Sequence, residues 1–503
     1  MPEYLCAVRF LHTKIDRMNK TPLFLLIILF VQNGYAQVEN INATVESQVI
    51  ITSKDQVPFW MWANQYGSIP LSGFSTSVIG SAYKEYEESG SYDGRESQLF
   101  DWGAGFEGRV NVGEKTEGIL IEAYAKARLA MFELKAGRSK DVVGLVDTTL
   151  SSGAFSVSGN ALGIPKIEIS VPEFYALPFW DGLFAFKGNF VHGWLGTIPV
   201  QYGNHKPTET YFHQKSLYGR LGKPSWRLHL YGGFNHNVFW GNTKTYREYS
   251  QLSDWQEYWY TITGKVNNSS KVGNHLGSID LGLTYDFDTV KVFGYRQQFY
   301  DIGGLYHLTN VADGLNGLSL TNKKSSQGKT FYWKKILFEF LYSKSQGGEL
   351  DAKSTPSGDE NYYNNYIYGE GWSYNHIALG NPLFTTTPAA RQDLVSRSYD
   401  YFLNNRIVAF HLGFEGTIND WNFLSKLTFS QNYGTYGSST GHSIGSNRSK
   451  PYGHFGRENQ FSGYIEAAKY FTDQWNLGVI AAIDRGGLYE DSIGMSIKAS
   501  YHF

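Results

Sequence analysis

Residues 493–503 read IGMSIKASYHF, and their side chains alternate between two kinds. Every second residue is apolar or aromatic: Ile493, Met495, Ile497, Ala499, Tyr501 and Phe503. The residues between them are small or polar: Gly494, Ser496, Lys498, Ser500 and His502. A period of two places the two sets on opposite faces of a β-strand. A final strand with an apolar face and an aromatic last residue is typical of bacterial outer-membrane barrels, so this stretch predicts a transmembrane β-barrel.

The same alternation recurs upstream, at residues 100–112, 119–129, 226–238, 408–418, 421–429 and 475–484. Many of these stretches reach the roughly 9–11 residues that a tilted membrane strand needs, whereas strands of globular proteins average about 5–6. Their polar faces carry charges and histidines, which a wet barrel interior accepts and a dry protein core does not. We count sixteen to twenty candidate strands and predict an all-β, antiparallel barrel over residues 98–503.

The connections between these strands have two lengths. Short ones include 113–116, 286–288, 419–420 and 472–474, whereas 239–274, 301–330, 343–397 and 432–458 are long and polar. Bacterial barrels have short periplasmic turns and long extracellular loops. Residues 37–97 alternate poorly, and 75–88 favours a short helix. We therefore predict that 37–97 is a partly irregular or helical segment on the periplasmic side.

The composition agrees with a barrel but does not require one. Aromatic residues make up 16% of the 503 residues, and charged residues make up 18%, below the roughly 25% of soluble proteins. Aromatic residues favour strands and the belts at lipid–water interfaces. A large soluble β-protein is the alternative. The formal net charge of −2 gives no support to nucleic-acid binding.

The N-terminus predicts export. Lys20 precedes the apolar run 23–31, and Ala36 offers a small residue for cleavage, so we predict a signal peptide over residues 1–36. Residues 1–17 do not fit that pattern and are interpreted as lying upstream of the true start. The single cysteine, Cys6, falls there. The predicted mature chain therefore has no disulfide, thiolate metal site or lipid-carrying cysteine.

The sequence contains no nucleotide-binding loop and no HExxH motif, and its 13 histidines lack metal-ligand spacing. We predict no catalytic residue, metal or cofactor. Clusters of aromatic and amide residues, densest at 361–372 (NYYNNYIYGEGW), suit carbohydrate, because sugars stack on rings and pair their hydroxyls with amides and carboxylates. The alternative is that these residues pack loops or form interface girdles. The predicted carbohydrate-binding residues are Tyr362, Tyr363, Tyr366, Trp372, Arg296, Asp301 and Asp313.

These clusters also carry a resemblance to a known family. The matching stretches are 58–67 (PFWMWANQYG), 153–165 (GAFSVSGNALGIP), 186–188, 295–301, 313–318 (DGLNGL), 338–347 (FEFLYSKSQG), 361–372 and 379–383 (LGNPL). In their order and number they resemble the Wzi family of outer-membrane capsule assembly proteins. The resemblance implies an eighteen-stranded barrel with a small helical element at its periplasmic end. It also implies a lectin-like role, in which capsular polysaccharide is bound and attached to the cell surface without catalysis.

The resulting hypothesis is an outer-membrane barrel whose partners are capsular or other surface polysaccharide, outer-membrane lipid and polysaccharide export machinery, with no nucleic acid. The first alternative is a porin or saccharide channel, which an open polar interior favours and a filled interior opposes. The second is a barrel enzyme acting on envelope lipid or glycan.

Overall fold

The fold was analysed in a computed structural model, which describes residues 41–87, 99–201, 206–246, 250, 252–267, 270–301, 310–348, 360–394, 400–436 and 455–503. The predicted signal peptide and Cys6 lie outside these ranges. No helix within them is long and apolar enough to cross a bilayer.

Eighteen strands of the described residues form one closed sheet. Neighbours in the chain are neighbours in the sheet, and the first strand pairs antiparallel with the last, with Thr44 opposite His502. Closure leaves the sheet without a free edge. The predicted fold class, an antiparallel barrel of about eighteen strands, is confirmed.

The strands are β1 Ile41–Thr52, β2 Ser75–Lys84, β3 Phe100–Val112, β4 Thr116–Leu129, β5 Phe132–Arg138, β6 Lys166–Ala176, β7 Phe184–Ile198, β8 Thr208–Leu221, β9 Leu228–Trp240, β10 Asn274–Asp286, β11 Val290–Asp301, β12 Gly314–Asn322, β13 Phe331–Tyr342, β14 Ile407–Ile418, β15 Trp421–Asn432, β16 Glu458–Tyr470, β17 Trp475–Gly486 and β18 Ser492–His502. The α-helices of the described residues are α1 Phe59–Trp62, α2 Thr243–Tyr246 and α3 Asp254–Thr263.

Alternation along the strands separates an apolar outer wall from a polar interior. In β18 the side chains of Ile493, Met495 and Ile497 are exposed on the outer wall, whereas Ser492 and Ser496 are buried inside. The period of two predicted from residues 493–503 is therefore the one that the strand adopts.

Connections of different length gather at opposite ends of the barrel. Counting strands alternately up and down places 130–131, 287–289, 419–420 and 471–474 at one end, which we call the short-turn end. The connections 53–74, 139–165, 241–273 and 343–406 lie at the other, the long-loop end. The rule has exceptions, since the short connections 113–115 and 487–491 lie at the long-loop end and the longer connection 85–99 lies at the short-turn end. In bacterial barrels short turns are periplasmic, so the long-loop end corresponds to the extracellular side.

Two predictions about the N-terminal segment were wrong. The barrel begins at Ile41 rather than at residue 98, and Ser75–Lys84 is a strand of the barrel rather than a helix. A short helix, α1, does lie between these strands, but it enters from the long-loop end. The backbone N–H of Phe59 donates to the Asp484 carboxylate at 2.7 Å, and Trp60 Nε1 donates to Thr428 Oγ1 at 3.0 Å. The helical element therefore sits inside the barrel and not at the periplasmic end.

Within the described part of the chain, three connections fold from the long-loop end into the interior. They are 53–74, 139–165 and the described residues of 360–406, and together we call them the plug. An eighteen-stranded barrel is too wide for its own side chains to fill, so an added layer is needed to bury an apolar core. Phe155, Tyr362, Trp372 and Phe384 supply much of that layer and are all fully buried. The part of the interior nearest the long-loop end is thus packed like a protein core.

Candidate functional site in the barrel interior

The aromatic residues of the plug form a continuous cluster. Phe155 stacks on Phe299 with ring centres 4.1 Å apart, and it also contacts Tyr362 and Tyr363. Trp372 stacks on Phe239, likewise with ring centres 4.1 Å apart. Pairs of this kind each contribute about 0.5–1.5 kcal/mol beyond area burial. The cluster therefore binds the plug to the inner wall of β9 and β11.

Polar atoms of these same side chains donate hydrogen bonds to backbone carbonyls of the plug that lie outside helices and strands. Trp372 Nε1 donates to the Ser156 carbonyl at 2.8 Å, and Tyr363 Oη donates to the Phe155 carbonyl. The faces of Tyr362, Tyr363 and Trp372 are covered by neighbouring side chains. These three predicted site residues therefore build the plug and present no free ring to a saccharide in this arrangement.

Tyr366 differs from these three residues. Its side chain is 45% exposed, although the neighbouring residues Tyr363 and Ile367 are buried. The turn around it is held by Asn365, whose Oδ1 accepts from the N–H of Ile367 at 2.8 Å. Tyr366 is thus the one predicted aromatic site residue that is accessible from the long-loop end.

The predicted charged residues are distributed over both faces of the wall. Asp313 is buried beneath Tyr362, whose Oη donates to it at 2.8 Å, and it also accepts from the backbone N–H of Gln346 at 2.6 Å. Burial raises the pKa of Asp313 to about 6, against the opposing effect of these hydrogen bonds. Asp301 is also buried, and its backbone N–H donates to Glu360.

Arg296 lies on the opposite face of β11 from Gln297, which is buried inside, so its side chain belongs to the outer wall. There it donates to Asn316 Oδ1 at 2.7 Å and to the Val311 carbonyl at 2.6 Å. Asp313 and Tyr362 therefore meet in one site inside the barrel, whereas Arg296 reaches only the backbone carbonyl of Asp313, at 3.4 Å, from the outer face.

Two carboxylates anchor segment 139–165 to the wall. Glu339 on β13 accepts from Ser151 Oγ at 2.6 Å, from the Ser152 N–H at 2.7 Å and from Tyr295 Oη at 2.6 Å. Asp147 lies 3.1 Å from Lys335 Nζ. Burial acts to raise the pKa of Asp147, but the hydrogen bond from the Leu150 N–H and the charge of Lys335 outweigh it and hold that pKa below its usual range.

A cavity of about 180 Å³ remains beneath the plug, between it and the inner wall of β15 and β16. Its lining combines rings, amides and charges, including Trp60, Asn64, Gln65, Tyr66, Lys426 and Glu466. The Lys426 ammonium lies 4.8 Å from the centre of the Trp60 ring. Burial, together with nearby carboxylates of which Asp141 is the strongest, raises the pKa of Tyr66 to about 12 and keeps its phenol neutral.

The size of this cavity limits what it holds. Pockets for drug-sized ligands measure about 300–1,000 Å³, and one water occupies about 30 Å³ of liquid. At about 180 Å³ the cavity is smaller than such pockets and suits waters or a small polar group. The sequence predicts only some of the residues that line this cavity. Trp60 and Tyr66 stand in the aromatic stretch 58–67, and period two alone places Lys426 on an inner face, but nothing local brings them together.

Within the described ranges, no group of three His, Cys, Asp or Glu side chains is arranged to hold a metal ion.

No family model matches the sequence, and no curated protein matches it either. Among solved structures, the fold is similar to Wzi of Escherichia coli, with a TM-score of 0.50 and 11% identity over 91% of this chain and 84% of that chain. Wzi is described as an outer-membrane protein involved in group 1 capsule assembly and as a carbohydrate-binding β-barrel.

Two Pseudomonas aeruginosa proteins also match. OccD3 has a TM-score of 0.45 and 9% identity over 93% of this chain and 92% of that chain. The outer-membrane protein OprD has a TM-score of 0.44 and 9% identity over 94% of this chain and 95% of that chain. At such low identity these likenesses concern the fold alone. This chain is an outer-membrane β-barrel.

Proposed function

We propose that this barrel binds a surface polysaccharide, in particular capsular polysaccharide, and holds it at the cell surface without catalysis. The observation that carries the proposal is the plug. Segments 53–74 and 139–165, with the described residues of 360–406, pack an aromatic core into the long-loop half of the interior. A wide channel has no use for such a core, whereas a binding protein gains from a rigid platform that presents loops outward.

One exposed ring and one half-buried cation at the long-loop end suit a polysaccharide. Tyr366 offers a ring for stacking on a sugar face. Lys344 and Tyr433 are half-buried there, and the Lys344 Nζ lies 3.9 Å from the centre of the Tyr433 ring. The Arg406 guanidinium lies 3.8 Å from the centre of the Tyr436 ring, but both of these side chains are buried. Cations fixed beside rings favour saccharides that carry carboxylates or other anionic groups. An acidic polysaccharide is therefore the preferred ligand class.

The first test is direct binding. Purified full-length protein in lipid nanodiscs is titrated with surface polysaccharide from the source cells, and affinity is measured by interferometry. We expect Tyr366→Ala to weaken binding about fivefold, because a lost stacking contact of about 1 kcal/mol has that effect. Tyr470→Ala is the matched control, since Tyr470 is equally exposed but lies at the short-turn end. Equal weakening by both variants, or no binding by the unaltered protein, contradicts the proposal.

The second test is in cells. A strain that lacks the protein is expected to synthesise polysaccharide normally but to shed it into the medium, which fractionation of cells and supernatant measures. Normal retention of polysaccharide overturns the attachment role. Turnover of envelope lipid or glycan by the purified protein, lost on one substitution, instead indicates an enzyme.

The main alternative is a porin or saccharide channel, and the charged cavity favours it. Lys426 and Glu466 face an interior space, and Lys498 pairs with Glu466 at 2.6 Å. Oppositely charged side chains in the interior tune selectivity in barrels that conduct. Steady ion conductance by the unaltered protein in planar bilayers supports the channel. Absence of conductance supports an interior that the plug closes.

A further inference from the structure

The described residues of the connection 241–273 do not join the plug but fold against the outer wall. On β9 the outward residues are the even-numbered ones, and Phe234 is exposed there. His236, Val238 and Trp240 lie on the same face, nearer the long-loop end, yet all three are buried. The side chain of Tyr258 in α3 lies against Trp240, with the two ring centres 5.2 Å apart.

The wall beneath this cover is polar. Lys215 and His213 on β8, His236 on β9 and His275 on β10 all point outward and lie side by side, with Lys215 opposite His236. His236 Nε2 lies 2.9 Å from His275 Nδ1, and Lys215 Nζ donates to the Ile262 carbonyl at the end of α3. We call these four residues the polar wall patch.

The depth of this patch requires a cover. A barrel strand crosses the apolar layer in about 9–11 residues. Leu221 and Leu217 are exposed outer-wall residues near the short-turn end of β8, and Gly219 lies between them. Lys215 and His213 are the next two outward residues toward the long-loop end. They therefore fall within the depth that lipid reaches, where a bare lysine costs about 2–4 kcal/mol at the midplane and about 0–1 kcal/mol near the headgroups. Among the described residues of 241–273, the Ile262 carbonyl accepts from Lys215 at this place.

The helix that provides the cover is well defined at both ends. Ser253 and Gln256 form a capping box at its start, and Gly264 ends it in the left-handed conformation. Glu257 and Thr261 face the barrel and are buried. Trp255 and Trp259 stand one turn apart on the outer side, 69% and 51% exposed, while Gln256 and Thr263 occupy the neighbouring flank.

We propose that α3 is an interfacial helix that lies in the outer leaflet against the barrel, with Trp255 and Trp259 inserted among the lipid headgroups. The surface is continuous with the established lipid-facing wall, since Phe190, Trp194 and Leu217 are exposed on the strands beside it. Tryptophan is favoured at this depth because its ring is apolar and its N–H finds partners among headgroups. The helix thus shields the polar wall patch from lipid and extends the aromatic belt. This inference is independent of the polysaccharide ligand.

Spin-label accessibility tests the proposal. The full-length protein with Cys6→Ser has no other cysteine. Single cysteines are introduced at Trp255, Trp259, Gln256 and Thr263, with Leu217 as a lipid-facing reference. Each variant is labelled with a nitroxide in nanodiscs, and relaxation by oxygen, which partitions into lipid, is compared with relaxation by a water-soluble nickel chelate.

We expect labels at 255 and 259 to respond as the label at 217 does, with oxygen at least threefold more effective relative to nickel than at 256 and 263. Retention of the folded barrel by each variant is checked by its heat-dependent gel migration. Nickel accessibility at 255 and 259 equal to that at 256 and 263 overturns the proposal. Protection of 255 and 259 only on addition of soluble polysaccharide also overturns it, because the two tryptophans then form a sugar platform.

Discussion

Trp372→Ala is expected to turn a silent barrel into a conducting one. Removing a fully buried tryptophan from a packed core costs about 3–5 kcal/mol, and here the hydrogen bond to the Ser156 carbonyl is lost as well. The strand ladders do not depend on Trp372, so the barrel persists while the plug loosens. Single-channel recording in planar bilayers measures the result as frequent open events in the variant.

Trp475→Ala serves as the control for this experiment, because Trp475 is exposed on the outer wall near the short-turn end. Trp475→Ala also removes a tryptophan side chain, but one that does not contact the plug, and this variant is expected not to conduct ions. If Trp372→Ala is as silent as the unaltered protein and melts at the same temperature, the aromatic cluster does not hold the plug in place.

The second large effect is expected for Glu339→Ala. This substitution leaves three buried donors without an acceptor, namely Ser151 Oγ, the Ser152 N–H and Tyr295 Oη. An unsatisfied buried donor costs about 1–3 kcal/mol, so their sum is enough to detach segment 139–165 from the wall. Limited proteolysis in detergent, read by mass spectrometry, should show new cleavage within that segment.

Glu415→Ala is the matched control. Glu415 is also a glutamate on the inner face of the sheet, but its partner Lys334 is 58% exposed to solvent. Exposed ion pairs contribute about 0–1 kcal/mol, so this variant should show the proteolytic pattern of the unaltered protein. Cleavage of 139–165 in both variants would point to general weakening of the barrel rather than to a lost anchor.

The sequence predicted the barrel because its outer wall is strongly apolar where the interior is strongly polar. β18 alternates isoleucine and methionine with serine and lysine, and the period is plain. β2 was missed because its outer face includes Gly80 and Ala82 while its inner face includes Ile79, so the contrast between the faces nearly vanishes. Strand prediction here depends on hydrophobic contrast and fails where small residues suffice outside.

The candidate site was harder to predict, because the same mixture of asparagine and aromatic residues suits both sugar binding and buried loops. Asparagines among aromatic residues suit a sugar, but they also satisfy irregular backbone that is buried away from water. Asn405 Nδ2 donates to the Tyr362 carbonyl at 2.9 Å, and Asn365 Oδ1 accepts from the Ile367 N–H. Nothing local in residues 361–372 indicates that Tyr362 lies inside and Tyr366 outside. Only the path of the plug through the barrel decides it.

Pairing of β1 with β18 also has a consequence for assembly. Thr44 and His502, whose side chains meet at 3.1 Å, are separated by 458 residues. Strands that are adjacent in the sequence can pair as soon as both have been made. The pairing of β1 with β18 requires the final strand, and such long-range contacts form late. Until then the unpaired edges of β1 and of the growing sheet are templates for association with another chain. Biogenesis of this barrel must therefore keep its first strand from mispairing until nearly the whole polypeptide has been made.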